Sequence, residues 1–330
     1  AIEREFSYEL LQKVAGLSEK ELLYRLSVLK DAELIYERGI YPDSSYIFKH
    51  NLTQEVVYDS ILSKRKMMLH EKIGEAYEEL YGTNLDDHYE VLSEHFIKAQ
   101  NHLKGAKYCR LMGKRAVQKA SMQEAIIYGK KRVACLESLP QTEDVTRKII
   151  DARTVLGLYY MQTNYQVESL EAVSPVIELA VNHDYKKRLC QIHAIEGAYN
   201  FFIKEDLPKA FIQFKKAINI SKQMNDYVSL VLAQGQLGAI MALNCEFGNA
   251  LESLQEVIDT IEKLAKSKWG IAVSKCQQSF FVYHFQGNAD AELKTSKEAF
   301  QLADESGDIL SKAEALICLG TAYYSKRLFQ

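Results

Sequence analysis

DARTVLGLYYMQ (151–162), QIHAIEGAYNFF (191–202), LAQGQLGAIMAL (232–243) and EALICLGTAYY (314–324) share one pattern. In each, a glycine follows an apolar run and precedes aromatic or apolar residues about one helical turn on. The glycines are Gly157, Gly197, Gly238 and Gly320, spaced 40, 41 and 82 residues apart, and the last interval divides at Gln278 into 40 and 42. The missing member is then KCQQSFFVYHF (275–285), with Gln where the others carry Gly. Each segment is followed by a loop and a second periodic segment with small then large residues, as in Ala210, Phe214 and Ala217, or Ala250, Leu254 and Val257. Small residues let paired helices approach closely. The period therefore predicts stacked helix pairs of the tetratricopeptide kind, longer than the usual repeat of about 34 residues, with Gly113 and Ala125 opening the array.

Such a stack buries each pair against the next and closes with a capping unit that has a polar outer face. This sequence stops within a first helix, so the array is expected to be truncated there, its last apolar face covered by a neighbouring molecule or a further domain. The repeat register directs Thr154, Met161, Phe201, Lys275, Val282 and Tyr324 to the concave face, where a peptide, a partner domain or a small effector docks. Ordinary packing competes for every one of these positions, because aromatic and Met residues at helical spacing are core residues in most helices.

The amino-terminal stretch REFSYELLQKVAGLSEKELLYRLSVLKDAELIYERG (4–39) reads as two helices and a strand. Leu10, Leu11 and Val14 give the first helix one apolar face, and Gly16 stands where a left-handed cap ends a helix. Ser18 opens the second helix with Glu21 as its capping-box partner, and Leu22, Leu23, Leu26 and Leu29 form its stripe. A strand around Leu34–Tyr36, a turn through YPDSS (41–45) and a returning strand at Tyr46–Phe48 complete a winged-helix order. Many such domains bind DNA through the second helix. Here the first fifty residues hold seven basic and nine acidic side chains, which weighs against a phosphate-facing surface.

In YIFKHNLTQEVVY (46–58), His50 sits where strand periodicity gives way to a helix. With the stretch 4–39, the continuation to Leu80 and HYEVLSEHFIKAQNHLKGAKYCRLMGKRA (88–116), this region resembles the segment that follows the ATPase core of bacterial STAND-type signalling ATPases. In those large proteins a nucleotide-binding module is often preceded by a class III adenylate or guanylate cyclase or a protein kinase domain. A winged helix and tetratricopeptide-like repeats follow it. The resemblance covers roughly residues 1–120, and the remainder only as a repeat type. The chain is similar, less closely, to the maltose-regulator type of transcription activator, of which it would be the effector-sensing part. The resemblance implies that Lys49, His50 and Asn51 occupy the Met-His-Asp motif, with His50 contacting the terminal phosphate of ADP in the intact protein. The alternative is that His50 caps or packs the corner. No G-x-x-x-x-G-K-[ST] loop occurs in the chain, so ATP or ADP belongs to the intact protein and no cofactor to these residues alone.

The fold expected is thus all-α dominated: a winged-helix domain at 1–62, connecting helices at 63–104, and a tetratricopeptide-like superhelix at 105–330. The implied partners are a protein or peptide on the repeats, an upstream ATPase domain and a small effector. With 41 Lys and Arg against 44 Asp and Glu, a net charge of −3 supplies no global field for nucleic acid or an anionic membrane. The six cysteines lie far apart without C-x-x-C or zinc spacing, as buried free thiols of a cytoplasmic protein would. His88, His95 and His102 recur every seven residues, which separates neighbours by about 10 Å on one helix, too far for a shared metal. No H-E-x-x-H or G-x-S-x-G occurs, and no catalytic residue is assigned.

Overall fold

A computed structural model of the chain describes residues 5–41 and 43–328. It divides into two compact units, residues 1–112 with 131–140, and residues 113–130 with 141–330.

In the first unit, β1 (Glu5–Ser7), β2 (Ile35–Arg38) and β3 (Ser45–Phe48) form an antiparallel sheet in the order β1-β3-β2, with Phe6 opposite Tyr46 and Ile35 opposite Phe48. The strand β1, absent from the sequence reading, is what completes the sheet. Helix α1 (Tyr8–Ala15) is capped by Ser7, whose hydroxyl accepts from the Leu10 N–H, and ends on Gly16 at φ +62°, where glycine carries no Cβ penalty. Ser18 accepts from the Glu21 N–H to open α2 (Glu19–Asp31). The Glu21 carboxylate, however, turns to Arg25 at 2.6 Å, so only half of the expected capping box forms. Leu22 and Leu26 are buried with Phe6, Tyr8, Ile35 and Tyr46, while Leu29 is 38% exposed and drops out of the predicted stripe. Pro42, in the predicted turn, lies outside the described residues.

Three helices continue this unit: α3 (Asn51–Ser60), α4 (Ser63–Leu80) and α5 (Tyr89–Lys98), the last preceded by a 3₁₀ turn at Leu85–His88. Ile73 and Ala76 of α4 pack on Leu10 and Val14 of α1. Helices α6 (His102–Gln118) and α7 (Met122–Glu137) contribute residues to both units.

The second unit holds α8 (Glu143–Gln162), α9 (Gln166–Val173), α10 (Ile177–Asn182), α11 (Lys186–Phe202), α12 (Leu207–Met224), α13 (Tyr227–Leu243), α14 (Phe247–Leu264), α15 (Lys268–Gln277), α16 (Ala289–Ser306) and α17 (Ile309–Ser325). A 3₁₀ turn at Ser174–Val176, carrying Pro175, breaks what would otherwise be one helix into α9 and α10. Three of the four repeat glycines do the work their spacing predicts, while a Cβ on Gly320 would meet nothing within 4 Å. A Cβ on Gly197 would sit 2.8 Å from the Phe214 ring, one on Gly238 2.8 Å from Leu254, and one on Gly157 2.8 Å from Val173. Three helix pairs therefore close on contacts no larger residue permits without movement.

The fourth pair corrects the register. Helix α15 runs into a π-helical stretch at Gln278–Tyr283, whose wider turn accommodates one extra residue. The residue at the close approach is Ser279, fully buried and hydrogen-bonded to Ser296 at 2.6 Å and to the Glu292 carbonyl at 3.2 Å. Gln278 reaches Gln255 instead. With Ser279 as the member, the interval from Gly238 and the interval to Gly320 are both 41 residues.

Four of the turns into the helices follow one rule. Glu205, Asn225, Gly287 and Gly307 take left-handed φ values, and the next residue, Asp206, Asp226, Asn288 or Asp308, accepts a backbone N–H three positions on. Each pair thus supplies its own N-cap, a contact worth about 1 kcal/mol. Five cysteines are buried free thiols as expected, but Cys245, left-handed at φ +62°, is exposed. Among the described residues no helix is long and apolar enough to cross a membrane.

Candidate functional site

His50 is the N-cap residue of α3, in extended conformation at φ −128° and ψ 130°. Its side chain makes no capping hydrogen bond and is exposed, so neither capping nor packing accounts for it. Lys49 beside it pairs with Glu33 and lies 5.6 Å over the Tyr36 ring; the hydrogen bond to Glu33 holds its ammonium above the ordinary lysine range. The helix that His50 opens buries none of its side chains. Leu52 is 70% exposed and Val56 61% exposed. On its other flank, Val57 and Tyr58 line an apolar cavity of about 490 Å³ that continues to Phe6, Leu26 and Ile73.

Tyr58 joins α3 to a buried polar pair. Its hydroxyl lies 2.8 Å from His70 Nε2, and His70 Nδ1 lies 2.8 Å from His95 Nδ1. Burial lowers His70 to about 4 and His95 to about 3, with the charge of Lys98 adding to both. Both rings are neutral at pH 7, so one Nδ1 donates and the other accepts. His95, one of the seven-residue series, thus has a structural partner. His88 instead lies against Tyr81, with ring centroids 4.0 Å apart and the planes tilted by 30°. Sequence reasoning missed His70, although it stands one turn before Ile73 in the α4 stripe, where an apolar residue was the expectation. Among the described residues, no group of three or more His, Cys, Asp or Glu could hold a metal ion.

A second cavity, about 530 Å³, opens among the first helices of the pairs in the second unit. Its walls come from residues spaced four apart: Val228, Leu232 and Gln236 on α13, and Trp269, Val273 and Gln277 on α15. Leu158 with Gln162 and Leu310 with Glu314 repeat the spacing on α8 and α17, so each row ends in an amide or a carboxyl. That apolar-to-polar row was the available sequence signal, and the glycine register hid it. Burial, reinforced by the charge of Asp308, raises the Glu314 carboxyl to about 7. Gln277 Oε1 is enclosed without a hydrogen-bond partner. Its amide occupies the space above Gly235, where a Cβ would lie 2.4 Å away.

None of the six positions assigned to the concave face lines this cavity. Thr154 is fully buried and its hydroxyl bonds the Ile150 carbonyl. Met161 is buried, and Val282 packs with Ala242, Ala250 and Leu254. For these three the expectation of an accessible side chain needs correction, because packing between helices claims them. Phe201 is half-buried against Phe202, Lys275 pairs with Glu298 at 2.7 Å, and Tyr324 is exposed.

No family model and no curated protein matches the chain. Solved structures do. A Signal Transduction ATPase with Numerous Domains protein with a tetratricopeptide repeat sensor, from Pyrococcus horikoshii, superposes over 99% of this chain with a TM-score of 0.56 at 15% identity. The apo form of RapI aligns over 97% of this chain and 85% of its own at a TM-score of 0.48 and 11% identity. Aspartyl phosphate phosphatase F from Bacillus subtilis aligns over 95% and 84% at 0.47 and 12%. The chain spans 46% of the Pyrococcus protein, less than half its length. Its structural neighbours are tetratricopeptide-like helical-repeat proteins, and that is the fold of this chain.

Proposed function

We propose that the chain is a non-catalytic regulatory and protein–protein interaction module of a multidomain signal-transduction ATPase. In this reading the amino-terminal unit is a winged helix that holds an upstream nucleotide-binding domain at rest. The repeats receive a protein, a peptide or a small effector, and the whole works in the cytoplasm. By linkage, a ligand on the repeats shifts the ATPase only by its differential affinity for the resting and active arrangements.

The observation that carries the reading is the corner at His50. An exposed imidazole without an intramolecular role, followed by a helix with bare Leu52 and Val56, is a surface made to be covered. The two helices followed by a hairpin support the winged-helix part, and the fold likeness to a protein with a repeat sensor supports the rest.

The test is nucleotide binding by the chain expressed together with whatever precedes it in its gene. His50→Ala is expected to weaken ADP by about tenfold, the loss of one charge-assisted hydrogen bond, and to leave ATP unchanged. Equal ADP affinity in the two proteins defeats the proposal.

A further inference from the structure

Every described residue lining the 530 Å³ cavity is apolar, amide, hydroxyl or acidic; none is Lys, Arg or His. At the α17 side stand Asp308 and Glu314. Asp308 has a structural duty, since its carboxylate accepts from the Ser311 N–H at 2.7 Å. Glu314 has none: among the described residues it forms no ion pair and no hydrogen bond. Glu314 is half-buried, and a carboxylate partly shielded from water without a counter-ion is costly. The enclosed and unpartnered Gln277 Oε1 adds a second acceptor on another helix. The remaining wall, with Val228 and Trp269, suits a short hydrocarbon stem, and an indole face attracts cations.

We infer that this cavity binds a primary ammonium group borne on an apolar stem, taking the free amino terminus of a peptide, with Glu314 as counter-ion and Gln277 as hydrogen-bond acceptor. An ammonium offers three donors and no acceptor, which matches a wall that offers acceptors and no cation. The assignment rests on the interaction role proposed above for the repeats and gives it a ligand chemistry. The groups facing Glu314 are the Asp308 carboxylate on its own helix and the Cys276 thiol of α15, which Glu314 helps keep protonated. Because the carboxyl titrates near 7, the bound ammonium drives off its proton, and affinity rises with pH from 6 to about 7.5, above which the peptide's own amino group loses its proton.

Trp269 is the only tryptophan of the chain and lies in the cavity wall, so fluorescence excited at its absorption edge reports this site alone. The probes are leucyl-leucine amide, its N-acetyl form, N-acetyl-lysine amide and N-acetyl-leucyl-leucine with a free carboxylate. The free-amine dipeptide is expected to bind at least tenfold more tightly than its acetylated form at about pH 7.5, where carboxylate and ammonium coexist. Glu314→Gln removes that preference and flattens the pH dependence. Asp308→Asn, which keeps the N-cap, moves the pH midpoint downward. Tighter binding of the lysine probe overturns the assignment to an amino terminus. Equal binding of the free and acetylated dipeptides, preference for the carboxylate, or no response to any probe overturns the inference. None of these outcomes bears on the nucleotide-binding test of His50→Ala, so the two proposals fail separately.

Discussion

The two units bury opposite kinds of titratable group. The first encloses the neutral bases His70 and His95, whereas in the second the partly buried acid Glu314 is held above the usual carboxylate range. A buried base resists gaining a proton, whereas a buried acid resists losing one, so the same change of pH strains one unit and relaxes the other. A single pH optimum for the chain is therefore a compromise between two cores.

The largest effect breaks the helix-pair side of the comparison without touching charge. Phe214→Ala removes the ring that closes on Gly197, leaves a cavity no neighbour fills, and lowers stability by about 4 kcal/mol in chemical denaturation. Acid comes next. The folded-state values of His70 and His95 lie below the unfolded value of 6.5, so the unfolded chain binds more protons between pH 6.5 and about 3. Stability of the first unit is full above 6.5 and falls as pH drops through that window, by about 3 kcal/mol at pH 5. Hydrogen exchange at amides of α4 and α5 reads this; protection that is flat from pH 7 to 5 contradicts it.

Glu314 has the reverse sign. Its folded value near 7 exceeds the unfolded 4.5, so the folded state holds the extra proton and stability declines as pH rises from 4.5 to 7. Glu314→Gln is expected to raise stability at pH 8 by about 2 kcal/mol and to leave pH 4 unaffected. A variant no more stable than the parent at pH 8 means that the carboxyl is solvated. The smallest effect sharpens the register: Ser279→Ala gives up the bond to Ser296 and costs about 1 kcal/mol.

Periodicity made the helix pairs legible because a missing side chain at Gly197 or Gly238 is a local requirement with a fixed interval. It failed by one residue at Gln278, since a π-helical insertion changes the phase without leaving a residue type that marks it. Gly16 and Ser18 announced helix ends through their own backbone chemistry. β1 escaped because three residues carry too little alternation to read. The cavity was hidden for another reason. Its walls are drawn from α6, α7, α8, α11, α13, α15 and α17, so no one segment contains the site. Thr154 and Val282 sit on the right helices but point between them.

The chain of hydrogen bonds from Tyr58 through His70 to His95 has a polarity that its lengths do not reveal. When His70 Nδ1 donates to His95, His70 Nε2 is bare and the Tyr58 hydroxyl must donate. When His95 donates, His70 Nε2 carries the hydrogen and Tyr58 must accept. The orientation of one hydroxyl on α3 is thus locked to the tautomer of a ring on α5, and information about that distant proton crosses two contacts with no net charge displaced.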